Sequence, residues 1–227
     1  METTYIEIDS PDKHLSDVLE EIPSNVILYK TLTGIGATYS EIKAQRHSII
    51  IEPNVPVIIG KCNSDKHKND NLLGVYEGVT TDRIIKYLGA SRGKYYKILT
   101  TPESFTKVKD AFLIFNGKIY NTCFLLIDEA HKTIKDVDYR SDIVLPMNDF
   151  FKFKGKALVS ATPLKFSDPR FEENGFSIIK IEPTYDYAKE IDIKPSTNIL
   201  REVWEEFGWM PFITGQDKDR PFFIFIN

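Results

Sequence analysis

The sequence predicts a doubly wound α/β fold, in which helices cover both faces of a mainly parallel sheet. Short apolar runs recur along the chain, and each is followed by a stretch with the composition of a helix. The runs are almost continuously apolar instead of alternating with polar residues, as expected for strands that are buried on both faces. The predicted strands are 26–29, 48–51, 96–99, 123–127, 157–160 and 176–181.

Composition and charge narrow the function classes. The chain has 227 residues, of which 42% are hydrophobic and 27% charged, so one α/β domain with a sizeable core is expected. No apolar run is long enough to span a bilayer and no secretory signal is visible, so we expect no membrane role and a cytoplasmic location. The net charge of −4 argues against binding nucleic acid by bulk positive charge, so any such contact must be local.

The residues that follow the predicted strands are the candidates for chemistry, because open parallel sheets bind ligands at the carboxyl ends of their strands. The first run leads into a glycine-containing turn before a predicted helix. Backbone amides of such a turn, with the amides that begin the helix, form a site for phosphate. The turn resembles the pattern of phosphate-binding loops, which implies that the hydroxyl of Thr38 binds magnesium. The candidate phosphate-binding residues are Thr33, Gly34, Ile35, Gly36, Ala37 and Thr38.

An acidic pair, Asp128 and Glu129, follows the fourth predicted strand. At the end of a buried strand, Asp128 can hold magnesium through its water shell while Glu129 polarises an attacking water. The alternative is an exposed start of a helix, where acidic residues are favoured. That alternative is weakened because the polar turn Ser160-Ala161-Thr162 ends a later strand of the same predicted sheet.

The segments LLIDEAH and VSATP, which follow a TGxGxT turn, resemble motifs II, III and I of superfamily 2 helicases and translocases of the DEAD/DEAH-box type. The resemblance runs from about Ile22 to Ile181 and implies the first RecA-like domain, with ATP and Mg²⁺ as cofactors. On this basis we expect residues 1–185 to form the ATP-binding domain. Residues 186–227 are expected to be a linker and the first strand of a truncated second RecA-like domain, because PFFIFIN resembles that strand.

The resemblance also implies roles for residues outside the acidic pair. His131, Ser160 and Thr162 would couple the nucleotide state to nucleic acid and to domain closure, although Ser160 and Thr162 could instead cap a turn. Four residues fall where the family contacts the sugar-phosphate backbone of a single strand, a task that hydroxyls and amides perform without selecting sequence. These are Pro53, Asn54, Thr100 and Thr101. Ordinary loop residues would give the same pattern. The implied partners are nucleic acid and a second RecA-like domain or a partner protein.

The turn lacks the lysine that the family pattern places at position 37, where this chain has Ala37, and it has Thr31 in place of a glycine. Loss of such a charge without replacement would cost about 3 to 4 kcal/mol, roughly a 100- to 1000-fold loss in rate. Lys30, where the turn begins, is the candidate replacement, since a lysine is a flexible charge that can reach phosphate from another backbone position. The alternative is that Lys30 is a strand-end lysine that faces solvent.

Two classes of function follow. The first is the ATPase domain of a nucleic-acid helicase or translocase, with Glu129, Asp128 and Lys30 as catalytic residues. The second is a catalytically weak pseudo-helicase that binds nucleotide or nucleic acid. Ala37 and Thr31 favour the second, whereas the intact acidic pair opposes it. A packaging-type translocase ATPase is a third alternative, with the same acidic pair and a variable phosphate loop.

Overall fold

Eight strands form one sheet in the computed structural model, which describes residues 1–32, 34–135, 144–162 and 168–185. The strands are β1 (Thr3–Ile8), β2 (Val26–Lys30), β3 (Ser48–Ile51), β4 (Leu72–Val75), β5 (Lys97–Thr100), β6 (Phe124–Ile127), β7 (Gly155–Ser160) and β8 (Ser177–Pro183). Their order across the sheet is β1-β8-β2-β7-β6-β3-β5-β4. Each neighbouring pair is parallel, so all eight carboxyl ends lie at one edge.

Helices connect the strands, as parallel pairing requires. They are α1 (Leu15–Val18), α2 (Ala37–Lys43), α3 (Val55–Cys62), α4 (Thr81–Ala90), α5 (Phe105–Phe115), α6 (Ile119–Thr122), α7 (Ala130–Lys135), α8 (Val144–Phe150) and α9 (Arg170–Glu173), with a short 3₁₀ helix at Asp65–His67. The start signal differs from one long helix to the next: α3 has a proline in its first turn, and α4 has a side-chain cap. The hydroxyl of Thr80 accepts a hydrogen bond from the backbone N–H of Arg83 at the start of α4.

Two apolar clusters lie on opposite faces of the sheet. Because successive strand residues point to opposite faces, Ile27 belongs to one cluster and Leu28 to the other. Buried residues of α1, α2 and α3 join the cluster of Leu28, whereas those of α4 to α9 join the cluster of Ile27. The sheet is therefore covered by helices on both faces, which confirms the doubly wound parallel α/β fold predicted from the apolar runs.

All six predicted strands are present, and their ends differ from the predicted ends by no more than two residues. Two further strands, β1 and β4, were not predicted, and they are the two edges of the sheet. An edge strand has one neighbour and needs no continuous apolar run. β1 is largely exposed. β4 contains Gly74, at which an added Cβ would lie only 2.9 Å from Ile58 in α3, so close packing excludes a larger side chain there.

The sheet extends from Thr3 to Pro183. The linker and strand expected at 186–227 lie outside the described residues, as does Thr33 of the predicted phosphate turn. Within the ranges that the structure describes, no helix is both long and apolar enough to cross a membrane.

Candidate functional site

Three neighbouring strands bring the main candidates together. β2, β7 and β6 lie side by side, and at their carboxyl ends stand Lys30, Ser160 and Asp128. With neighbouring strands about 4.8 Å apart, β2 and β6 are separated by roughly 10 Å. A lysine side chain can cover much of that distance, and Lys30 reaches past the end of β7 to the acidic pair.

Lys30 lies inside the site and does not face solvent. It is 7% exposed, and its ammonium group donates a hydrogen bond to Asp128 Oδ1 at 3.0 Å. The same Nζ lies 2.7 Å from Glu129 Oε1. Burial alone would lower the pKa of Lys30, but the negative charges of Asp128 and Glu129 outweigh burial and raise it. Lys30 is therefore a fully charged cation held between two carboxylates.

Asp128 is deeply enclosed, with 3% of its surface exposed. Its backbone N–H donates to the carbonyl of Ile51 in β3 at 2.9 Å, which continues the sheet ladder to the acidic pair. One carboxylate oxygen accepts from Lys30, and the other accepts from the hydroxyl of Thr38 in α2. Burial would raise the pKa of Asp128, but Lys30 and Thr38 together lower it, so the carboxylate is ionised.

Glu129 has a constrained backbone. Its φ of 49° is in the left-handed region, which is uncommon for a residue with a Cβ. Its own N–H donates to Asp128 Oδ1 at 2.9 Å, so the two acidic residues form a tight local turn. One carboxylate oxygen contacts Lys30, and the other lies 3.5 Å from Nδ1 of His131. The unusual φ therefore coincides with a carboxylate that is held from two sides.

His131 connects the acidic pair to the end of β7. Its Nδ1 lies 3.2 Å from Ser160 Oγ. The Ser160 hydroxyl donates to the carbonyl of Thr162 at 2.7 Å and accepts from the Thr162 N–H at 3.1 Å. Because the hydroxyl proton is used by Thr162, His131 Nδ1 is the donor in its contact with Ser160. A continuous chain of contacts thus runs from Glu129 through His131 to the turn after β7.

The glycine turn enters α2 beside the acidic pair. Gly34 and Gly36 have φ values of 81° and 87°, a conformation that glycine adopts at little cost, and α2 begins at Ala37. Ala37 is 3% exposed and belongs to the apolar cluster that contains Ile42. Position 37 therefore faces the core. The carbonyl of Ile35 accepts a hydrogen bond from the N–H of Leu15 at 2.8 Å, which holds the turn against α1.

A small pocket of about 80 Å³ lies beside this turn. Its walls come from the turn, from the loop before α1 and from the segment after β8. The lining residues are Ile8, Pro11, Lys13, His14, Leu32, Gly34, Ile35 and Tyr185. The pocket therefore combines an apolar floor with two rings, His14 and Tyr185, next to the candidate phosphate turn. Sequence patterns gave no signal for it, because its residues come from three separate segments.

The four residues assigned to nucleic acid lie where the strands β3 and β5 end, on the same side of the sheet as the acidic pair. Pro53 and Asn54 are partly exposed, whereas Thr100 and Thr101 are 0% and 5% exposed. The hydroxyl of Thr100 donates to the carbonyl of Thr101 at 3.1 Å. The hydroxyl of Thr101 accepts from the N–H of Ser104 at 3.3 Å. Both threonine hydroxyls thus stabilise the turn that leads into α5, and only Pro53 and Asn54 present partly exposed side chains.

Two charged residues near the site had no role assigned from the sequence. Glu52 directly follows β3 and is 3% exposed, and Lys61 lies on α3, which follows β3. The position of Glu52 could have been identified by the rule that selected Asp128, since both are the first residue after a buried strand. Lys61 lies within a helix and does not directly follow a strand, so that rule does not select it.

The described residues can supply part of a magnesium site. Within the described ranges, no group of three or more His, Cys, Asp and Glu side chains could hold a metal. Mg²⁺ is commonly bound by one or two carboxylates together with phosphate oxygens and waters, and Asp128 with the hydroxyl of Thr38 fits that donor set. The ammonium of Lys30 between Asp128 and Glu129 shows that a cation is accommodated there.

In comparisons with known proteins, this chain is similar to solved structures in its fold. No protein-family model and no curated protein matches the sequence. A hypothetical ATP-dependent RNA helicase from Sulfolobus tokodaii is similar over 69% of this chain and 48% of its own, with 16% identity and a TM-score of 0.48. The Hef helicase domain from Pyrococcus furiosus is similar over 76% of this chain and 39% of its own, with 14% identity and a TM-score of 0.48. This chain thus spans less than half the length of either structure.

Proposed function

We propose that this chain is the ATP-binding domain of a nucleic-acid helicase or translocase. The observation that carries the proposal is the meeting of Lys30, Asp128, Glu129 and Thr38 beside a glycine turn. One cation, two carboxylates and a hydroxyl are the side chains that phosphoryl transfer requires, because its catalysis rests on positioning and on stabilisation of charge. Their place at the carboxyl edge of a parallel sheet agrees with where such folds bind ligands.

In this proposal Lys30 serves as the phosphate lysine. Ala37 occupies the position of the usual lysine, yet its side chain packs in the apolar core with Ile42. The side chain of a lysine at position 37 would have to extend out of the apolar core, because burying its charge there is costly. Lys30 is already charged, buried and within 3.0 Å of Asp128, so it needs only a change of side-chain rotamer to exchange a carboxylate for a phosphate oxygen.

The remaining residues have distinct roles. Backbone amides of residues 33–38 would hold the phosphates. Asp128 and Thr38 would hold Mg²⁺, which when bound neutralises charge on the phosphates. Glu129 would accept the proton of the attacking water, and its contacts with Lys30 and His131 hold the carboxylate in place.

Coupling to nucleic acid would use the chain of contacts from Glu129 to Thr162. A change in the charge around Glu129 alters its pairing with His131, and His131 in turn contacts Ser160. Nucleic acid would lie along the turns after β3 and β5, where Asn54 offers a partly exposed amide, while Thr100 and Thr101 shape the turn. A second RecA-like domain or a partner protein would supply the remainder of the groove.

The pseudo-helicase alternative predicts binding without turnover. It is opposed by the paired and ionised state of Lys30 and Asp128, since a decayed site has no need for a buried cation at this position. Its support remains the absence of a lysine at position 37.

The test is ATP hydrolysis by the purified chain, measured with and without single-stranded DNA and RNA. We expect Mg²⁺-dependent turnover that falls about 100- to 1000-fold in Lys30→Ala. Glu129→Gln should retain ATP binding and lose turnover. Lys86→Ala, which removes an exposed charge from α4, is the matched control and should behave as the wild type. Binding without turnover, unchanged by Glu129→Gln, would favour the pseudo-helicase. Absence of ATP binding would overturn the proposal and would leave the pseudo-helicase only as a nucleic-acid binding module.

A further inference from the structure

Thr31 stands where the pattern of phosphate-binding loops has a glycine, directly after Lys30. The residue is exposed, yet its side chain is bound to the sheet. The hydroxyl of Thr31 donates a hydrogen bond to the carbonyl of Ile181 in β8 at 2.7 Å. The backbone N–H of Thr31 donates to the same carbonyl at 3.3 Å. Thr31 therefore binds the end of β8 through two hydrogen bonds, of which a glycine could form only the backbone one.

β8 is the strand that supports the end of β2. Tyr29 is the last residue of β2 in register with β7, opposite Ser160, whereas Lys30 is in register with Ile181 of β8. Ile181 is 2% exposed and belongs to the apolar cluster that contains Leu28. The acceptor of both hydrogen bonds is therefore part of the packed core, and Thr31 continues the parallel ladder one residue beyond Lys30.

The hydrogen bonds of Thr31 fix the backbone that carries Lys30. The bonded N–H belongs to the peptide unit that joins Lys30 to Thr31, and a peptide unit is planar. The backbone is therefore held on the carboxyl side of Lys30 by Thr31 and on the amino side by the ladder with β8. Lys30 can then change partners only through its side-chain torsions. Because ordering a lysine costs conformational entropy, a fixed backbone reduces what Lys30 must lose when it binds a phosphate.

The turn itself does not require a glycine at position 31. Among the described residues of the turn, the positive φ values fall on Gly34 and Gly36, so these two positions supply the backbone freedom. The turn is also held further along, where the carbonyl of Ile35 accepts a hydrogen bond from the N–H of Leu15 at 2.8 Å. The bonds of Thr31 therefore complete the support of the turn at the end from which Lys30 extends.

We propose that Thr31 is a positioning residue for Lys30: its hydroxyl anchors the start of the phosphate turn to β8 and so directs the displaced phosphate lysine towards the nucleotide. This inference rests on the proposed function. It gives one explanation for two departures from the family pattern, because a lysine moved to position 30 needs a fixed backbone there and Thr31 provides it. Thr31 acts through Lys30 and not by contact with the phosphates.

The first test removes the hydroxyl and keeps the branched shape. Thr31→Val should lower kcat/KM for ATP with Mg²⁺ about three- to tenfold, as expected for the loss of one hydrogen bond between uncharged groups. Thr31→Ser retains a hydroxyl and should restore most of the activity. Thr4→Val, which removes an exposed hydroxyl from β1, is the matched control and should behave as the wild type.

Thr31→Gly introduces the residue of the family pattern and gives the sharpest contrast. It should lose at least as much activity as Thr31→Val, because glycine removes the hydroxyl and also adds backbone freedom. A Thr31→Gly variant that is as active as the wild type, or more active, would contradict the inference.

A double-variant cycle with Lys30 separates positioning of the lysine from general support of the turn. If Thr31 acts through Lys30, Thr31→Val should weaken ATP binding in the wild type and cause little further loss in Lys30→Ala, because coupled residues are not additive. Calorimetry with Mg²⁺ and ATP measures all four proteins. Losses that add fully would show that Thr31 supports the turn without acting through Lys30, which overturns the inference.

Amide hydrogen exchange tests the anchor in the absence of nucleotide. The N–H of residue 31 is bonded to Ile181, and its protection against exchange, corrected for the intrinsic rate of each residue type, should fall about three- to tenfold in Thr31→Val. Thr31→Ser should restore the protection. Equal protection in the wild type and in Thr31→Val would show that the hydroxyl does not hold the start of the turn.

The outcomes separate this inference from the function on which it rests. If the wild type neither binds nor hydrolyses ATP, the proposed function fails and the role of Thr31 fails with it. If the wild type hydrolyses ATP but Thr31→Val matches Thr4→Val, only the role of Thr31 is overturned. If the wild type binds ATP without turnover, the cycle measured by ATP binding decides the role of Thr31.

Discussion

Two buried lysines, one at the carboxyl ends of the strands and one at the amino ends, have different surroundings. Lys30, at the carboxyl edge, lies between two carboxylates, and its pKa is raised. Lys97, at the amino end of β5, is 2% exposed and donates to the carbonyls of Glu41 and Ala44 and to the hydroxyl of Ser48. Burial lowers the pKa of Lys97 to about 8. The two lysines thus share burial and differ in the charge of their partners.

This difference in partners gives the two lysines different roles. Lys30 can exchange its partners, whereas Lys97 stabilises the fold. Glu41 and Ala44 lie at the carboxyl end of α2, so Lys97 binds the free carbonyls that end this helix. The other end of α2 carries Thr38, whose hydroxyl contacts Asp128. Lys97 therefore anchors the helix that presents the phosphate turn, whereas Lys30 is a mobile charge within the site that the turn helps to form.

The largest expected effect is on stability when Lys30 is removed. Lys30→Met leaves Asp128 and Glu129 without their bound cation, and breaking a buried pair in this way costs about 3 to 5 kcal/mol. Urea denaturation at neutral pH measures the loss. The difference in the free energy of unfolding between the variant and the wild type should shrink as the pH falls towards about 4. Protonation of the two carboxylates then removes the unpaired charge. A deficit that is small at neutral pH and independent of pH would contradict the pairing.

Lys97→Met should destabilise the chain by a smaller amount, about 1 to 3 kcal/mol, because buried oxygens lose their donor but no charge is left unpaired. A sharper test is to measure stability at alkaline pH. The folded pKa of Lys97, about 8, lies below its ordinary 10.5, so the unfolded chain binds more protons between these values. The contribution of Lys97 to wild-type stability should therefore rise with pH in this window, by at most about 3 kcal/mol.

The Met variant lacks this contribution, while its tyrosines and cysteines titrate as in the wild type. Denaturation of both proteins between about pH 8 and 10.5 isolates the effect of Lys97. Parallel stability curves would show that Lys97 does not titrate in this range.

Thr38→Val should have the smallest effect on stability, about 1.5 kcal/mol, which is typical for a hydrogen bond to a charged group. The lost bond is the one from the Thr38 hydroxyl to Asp128. Thr38→Ser retains a hydroxyl and should recover most of the loss in a thermal melt. A serine variant no more stable than the valine variant would show that the hydroxyl contributes little.

The position of the phosphate lysine can be tested by moving it. Because Ala37 packs in the apolar core, the double variant Lys30→Ala with Ala37→Lys should remain as inactive in ATP turnover as Lys30→Ala alone. Recovery of turnover to within about tenfold of wild type, measured in the same assay, would show that position 37 can serve the phosphates and would contradict the role given to Lys30.

The comparison of Lys30 with Lys97 also shows which features the sequence can predict. Buried central strands are almost continuously apolar, so β3 was located at Ser48–Ile51 from its pattern alone. The rule that polar residues after such strands meet at one edge selected Asp128, whereas Lys30 was a candidate because it stands where the glycine turn begins and could replace the lysine missing at position 37. The edge strands β1 and β4 were missed because one neighbour is enough to hold them. Lys97 was missed because a lysine that begins a strand looks the same whether it faces water or a helix end.

The site was only partly predictable for a related reason. Lys30 was a candidate from its position in the chain, but its burial between two carboxylates depends on how β2, β7 and β6 are ordered in the sheet. The pocket beside the turn is assembled from three segments of the chain. Contacts of this kind are set by topology and side-chain length, and no local pattern encodes them.

The central claim is that Lys30 exchanges the acidic pair for a nucleotide phosphate. A crystal structure of the chain with Mg²⁺ and a non-hydrolysable ATP analogue tests it most directly. We expect the ammonium of Lys30 within hydrogen-bond distance of a β- or γ-phosphate oxygen, about 2.7 to 3.2 Å, and no longer on Glu129. A complex in which phosphates occupy the turn while Lys30 keeps both carboxylates would contradict the account.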